Sequence, residues 1–149
     1  MERGIVERLA PDPAELRELW EIADRSLWNA RARELTEDGT FLFAYMAART
    51  LATLAIRAEG YRVTARGGGH FNTFEALRAI ADERIAGQAD YLDDCRRKRN
   101  ETSYVAVQVT RTEAQGLLRD SRAFRRELAA WMRKRHPALG PPARRRGAR

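Results

Sequence analysis

Apolar residues recur at helical spacing along most of the chain. Leu16, Leu19, Trp20, Ala23, Leu27 and Ala30 lie three or four residues apart, with charged residues between them. This predicts a first amphipathic helix over 11–34, with Asp12 ahead of Pro13 as its start signal. A second helix is predicted over 40–59, where Phe41, Leu42, Tyr45, Met46, Leu51, Leu54, Ala55 and Ile56 make much of the girth apolar. Such a helix sits at the centre of a bundle or is covered on a second side by another subunit. Gly60 fits the left-handed position past its end.

The segment 60–71 reads as irregular and holds Gly67-Gly68-Gly69-His70. Asn72 with Glu75 reads as a capping signal for a third helix, with Phe74, Leu77, Ile80, Ala81 and Ile85 inward and Gly87 at its end. A fourth helix from Ala89 carries Tyr91, Leu92 and Cys95 on one side and finishes in Arg96-Arg97-Lys98-Arg99. Val105 to Val109 has strand composition, but with no partner strand foreseen it reads as a packed extended connection. Thr110 with Glu113 is a capping box opening the last helix, which Pro137 stops. The expectation is an all-α fold: an antiparallel up-and-down bundle of four to five helices and no sheet.

Charge refines this picture at one end. The chain of 149 residues carries 28 Lys and Arg against 21 Asp and Glu, and only Lys98 and Lys134 are lysines. Four of the arginines, Arg144, Arg145, Arg146 and Arg149, fall in 137–149 without an acid; the remainder has 24 cations against 21 acids. The expected organisation is a single domain over 1–136 and a basic, disordered tail over 137–149, able to strengthen binding to any polyanion. Cys95 is the only cysteine, and with no apolar leader at the N-terminus the chain is expected in the cytoplasm. The apolar stretch 41–56, broken by Arg49, is too short to span a bilayer, so no membrane partner is expected. Two histidines and one cysteine argue against a dedicated metal site, and no cofactor is expected.

The candidate chemistry gathers at Arg96 to Tyr104. Arginine offers a planar fork of donors that matches phosphate oxygens. Arg96 with Arg99, or Arg96 with Asn100, share a helical face, whereas Arg97 and Lys98 face outward. The run reads equally as a solvated helix end, with Asp93 and Asp94 pairing some of the cations. Tyr104 lies five residues past Arg99, so the two converge only if the helix bends near Asn100; otherwise it reads as a core tyrosine. His70, at the mouth of the third helix, is a candidate proton carrier or a locally bonded loop residue. The glycine run lacks the lysine and strand of a nucleotide P-loop. Trp20, Trp28 and Trp131 read as core or interface residues.

In order, these pieces resemble the HEPN superfamily, nearest its small stand-alone bacterial members. They are an amphipathic helix, an apolar helix ending in Ala58-Glu59-Gly60-Tyr61-Arg62-Val63, a Gly/His loop, a short helix, and Arg96-x-x-Arg99-Asn100-x-x-x-Tyr104. The resemblance covers roughly 12–135 and includes Gly69-His70-Phe71 followed by Glu75-Ala76-Leu77. It implies a dimerising helical bundle that handles RNA or nucleotide phosphates. Some members are metal-independent endoribonucleases of toxin–antitoxin or defence systems; others are non-catalytic nucleotide-binding or adaptor subunits that partner a nucleotidyltransferase. Arg99 and Asn100 match the start of the family's nuclease motif, and Tyr104 stands where its histidine is expected. By that resemblance Arg96, Arg99 and Asn100 would bind phosphate, and Arg99, Tyr104 and His70 would be the catalytic candidates. A phenol, with a pKa near 10, is a poor base at neutral pH, so His70 would supply the imidazole.

Overall fold

The computed structural model describes residues 6–64, 69–104 and 108–142, with side chains described except over 69–72 and 100–104. The fold is all-α. Its long helices are α1 (Pro13–Asn29), α2 (Glu37–Ala58), α3 (Gly69–Ile80), α5 (Ala89–Tyr104) and α6 (Arg111–Arg135), with a single-turn α4 (Glu83–Ala86) between α3 and α5. Three of these starts have a chemical cause. Asp12 accepts from the Ala14 N–H, Thr36 from the Gly39 N–H, and Thr110 and Glu113 form the expected reciprocal box. Gly60, at φ 87°, takes the left-handed position after α2.

Contacts along the helices fix their directions. Asp38 meets Val109, Ala44 meets Ser121 and Glu59 meets Arg135, so α2 and α6 run the same way. Asp24 pairs with Arg125 while Trp20 Nε1 donates to the Leu139 carbonyl, so α1 runs opposite to α6. Lys98 pairs with Glu113, and Tyr91 with Asp120, so α5 also opposes α6. The helices α1, α2, α5 and α6 therefore alternate in direction, as the patterning predicts. α2 is central, burying Phe41, Ala44, Tyr45, Ala48, Leu51 and Ile56. Trp20, Phe74, Phe124 and Leu128 close around it.

Several boundaries differ from the expectation. α1 ends at Asn29, where its apolar series ends, and 30–35 turn toward Thr36. α3 begins at Gly69 and stops at Ile80, because Asp82 caps α4 as a new start. A small sheet was not expected: β1 (Val6–Arg8) pairs antiparallel with β2 (Tyr61–Val63), Glu7 facing Arg62 across the ladder. Of the strand-like run 105–109, residues 105–107 lie outside the described residues; Val109 is buried without regular structure. The boundary expected at 136 does not end the packing. Pro137–Leu139 forms a short 3-10 helix (η1), and Leu139 packs against the core under Trp20. The basic residues 144–149 lie outside the described residues. Finally, α2 has 22 residues and is long and apolar enough to cross a bilayer, contrary to the expectation for 41–56. Most of it is enclosed by the other helices.

Candidate functional site

The arginine run occupies the second half of α5. Asp93, itself buried, accepts from Arg96 Nε at 2.8 Å and from Arg97 Nη2 at 3.1 Å. One carboxylate thus serves two guanidinium groups, and Asp94 lies 3.8 Å from Arg97. Arg97 faces outward, as expected. Lys98 does not: it turns across to α6 and meets Glu113 at 3.5 Å.

Arg99 points inward onto α2. Its guanidinium carbon sits 5.9 Å from the centre of the Tyr45 ring, close enough for a cation–π contact. Tyr45 is buried, and its other neighbour is Phe74, edge to face at 6.2 Å. Burial pushes the Tyr45 phenol up to about 12, against the opposing pull of Arg49, Arg99 and Arg96. One guanidinium, that of Arg99, thus lies over the buried ring, and Arg49 and Arg96 are near enough to act on its phenol electrostatically. Arg49 lies one helical turn beyond Tyr45 on α2. Its Nε and Glu127 Oε2 are the two buried side-chain polar atoms without a hydrogen-bond partner among the described residues. A buried donor in that state costs about 1–3 kcal/mol, and more on a charged group.

Tyr45 stays a neutral phenol through neutral pH, so it is a floor that orients Arg99 rather than a base. In the unfolded chain a tyrosine releases its proton near pH 10. The folded group holds it to about 12, so this contribution to stability is complete below pH 10 and declines as pH rises toward 12. Urea midpoints measured from pH 9 to 12 are expected to fall less steeply in Tyr45→Phe than in the wild type.

The helix break near Asn100 on which convergence of Arg99 and Tyr104 depended is absent: α5 continues through Tyr104. Residues 99 and 104 are then about 140° apart around the helix, and the same chain does not bring them to one face. The phenol beside Arg99 comes from α2 instead. His70 belongs to the first turn of α3 rather than to a loop. Arg78 pairs with Asp90, joining the end of α3 to the start of α5. The side chains of His70, Asn100 and Tyr104 lie outside the described residues.

Tyr45 and Arg49 were not foreseen as site residues. Their signal was a charge four residues from a phenol in an otherwise apolar helix. Cys95 is buried, and burial pushes its thiol up to about 11, so it is protonated and unreactive at neutral pH. No protein-family model, curated protein or solved structure matches this chain.

Proposed function

We propose that this is a HEPN-type protein that binds nucleotide or RNA phosphate where Arg99 of α5 packs on α2. The observation that supports the reading is the Arg99 guanidinium held over buried Tyr45, with Arg49 and Arg96 adding positive charge near that ring and the Arg49 Nε–H lacking a partner among the described residues. A phosphate oxygen satisfies such a donor with a charge-assisted hydrogen bond. Arg99, held by the Tyr45 ring, is the principal ligand, and Arg96 and Asn100 support it. In the catalytic version the protein is a metal-independent endoribonuclease of a toxin–antitoxin or defence system. The RNA 2′-OH attacks the adjacent phosphorus, His70 takes the hydroxyl proton, and Arg99 stabilises the added negative charge. The bond to the 5′ oxygen breaks, leaving a cyclic phosphate. The reading includes a cytoplasmic homodimer, for which exposed Leu42 and Met46 on α2 offer apolar contacts.

The non-catalytic reading, an adaptor or nucleotide-binding partner of a nucleotidyltransferase, draws on a specific observation. α5 is unbroken through Tyr104, which sets the backbone positions of residues 99 and 104 about 140° apart around the helix. One experiment separates the versions. RNA is incubated with the wild type, His70→Ala and Arg99→Ala in EDTA, with binding and product ends followed together. Cyclic-phosphate ends lost in both variants establish the nuclease. Binding without cutting, lost in Arg99→Ala alone, establishes the adaptor. A wild type that neither binds nor cuts RNA or nucleotides overturns the proposal.

A further inference from the structure

Two concave surfaces meet at the turn between α1 and α2. One, of about 470 Å³, is mainly apolar and is formed around Trp28, Leu35 and Phe43. The other, of about 500 Å³, is polar, with Arg31, Arg33, Arg111 and Arg122 around it and Glu37 as its acid. They share Arg31, Ala32 and Leu35, so they adjoin as two halves of a trough. Arg33, Arg111 and Arg122 form no ion pair with a described residue. Four guanidinium groups against one carboxylate leave the polar half strongly positive. Both α2 and α6 begin there, at Glu37 and Arg111, and their N-terminal dipole ends add to the same sign.

The apolar half has an unusual floor. Trp28 is 57% exposed, while Trp20 is 0% and Trp131 8% exposed, so of the three tryptophans Trp28 alone lies outside the core. The Arg31 guanidinium lies 5.0 Å from the Trp28 ring centre, joining the two halves. An exposed aromatic face beside a cationic groove is the arrangement that stacks a base and holds its phosphates. Inorganic phosphate alone uses only the polar half, and an apolar group alone only the other.

We infer that this trough binds a nucleotide unit, its base on Trp28 and its phosphates among Arg33, Arg111 and Arg122. The ligand chemistry is a planar base joined to phosphate, supplied by a free nucleotide or by single-stranded RNA. The site is separate from the Arg99 cluster and does not depend on the reading given to that cluster.

Tryptophan fluorescence tests this, because Trp28 is the exposed indole. The wild type is titrated with adenosine diphosphate and with a short 5′-phosphorylated single-stranded RNA. Both are expected to quench the emission. Trp28→Leu removes the quench and weakens binding, followed by calorimetry, about tenfold, and Trp28→Phe restores most of the affinity. Arg111→Gln with Arg122→Gln weakens binding about tenfold or more and lowers the slope of log affinity against log salt by about two. RNA binding far tighter than the diphosphate assigns the trough to a strand, and equal binding assigns it to a free nucleotide. The inference is overturned if neither probe quenches or binds, or if the midpoint of the quench is unchanged in the double variant. Burial of Trp28 by self-association, with no response to either probe, overturns it as well.

Discussion

Replacing Arg57 by methionine is expected to destabilise the protein by about 3–5 kcal/mol. Arg57 is 3% exposed, yet every arm of its guanidinium is bonded. Nε and Nη2 reach the Glu15 carboxylate at 3.0 and 3.2 Å. Nη1 donates to the carbonyls of Leu9 at 2.9 Å and Tyr61 at 3.1 Å, and Nη2 to that of Ala10 at 3.0 Å. One side chain thereby ties the end of α2 to the approach to α1 and to β2. Methionine fills similar space but leaves three carbonyls without this donor, each worth about 1–3 kcal/mol where water cannot reach. Glu15 is 41% exposed on its side chain, so Glu15→Gln is expected to cost far less. Urea unfolding of both variants checks the order. An Arg57→Met protein within 1 kcal/mol of the wild type would contradict the role given to this residue, since that is below the ~3 kcal/mol expected.

Arg49 is expected to behave in the opposite sense for stability. Its unpartnered Nε makes it a half-buried cation that the folded chain does not fully satisfy. Arg49→Met removes that donor and is expected to raise stability by about 1 kcal/mol. The same change is expected to weaken phosphate or RNA binding about tenfold or more, because a charge-assisted bond contributes about 1.5–3 kcal/mol. Arg99→Ala is expected to weaken binding by at least as much, with little gain in stability because the Tyr45 contact is lost. The double variant should lose less than the product of the single effects, since both groups hold one phosphate. A gain in stability together with a loss of ligand separates a binding arginine from a structural one. Arg57, whose donors are all engaged within the fold, should show only the loss of stability.

The helices were legible wherever one local signal dominated. Thr110 with Glu113 announced α6, Pro137 its end, and Gly60 the end of α2. The shorter α1 was also present in the pattern, because its apolar series stops at Ala30, one residue past the observed end. Thr36 with Glu37 and Asp38 was a start signal that Gly39 obscured. Asp82 competed with the apolar spacing of Ile80 and Ile85 and won. The β1–β2 pair could not be read locally. Its strands are three residues each and lie far apart in the chain, and Arg57 holds the segments beside them.

The site was legible along α5 but not across helices. Spacing identified Arg96 and Arg99 as neighbours on one face. It could not show that Tyr45 and Arg49 come from α2 to meet them, because that depends on the crossing of two helices far apart in sequence. For the same reason the exposed side of Trp28 was hidden. An aromatic at helical spacing reads as core until the place where the helix ends is known.

The most direct measurement is the NMR signal of the arginine Nε–H groups as a 5′-phosphorylated RNA dinucleotide is added. The Arg49, Arg96 and Arg99 resonances are expected to move together and saturate at one ligand concentration, with Arg49 moving furthest because its Nε–H has no partner among the described residues. Binding that leaves these three resonances in place while others respond would contradict that expectation.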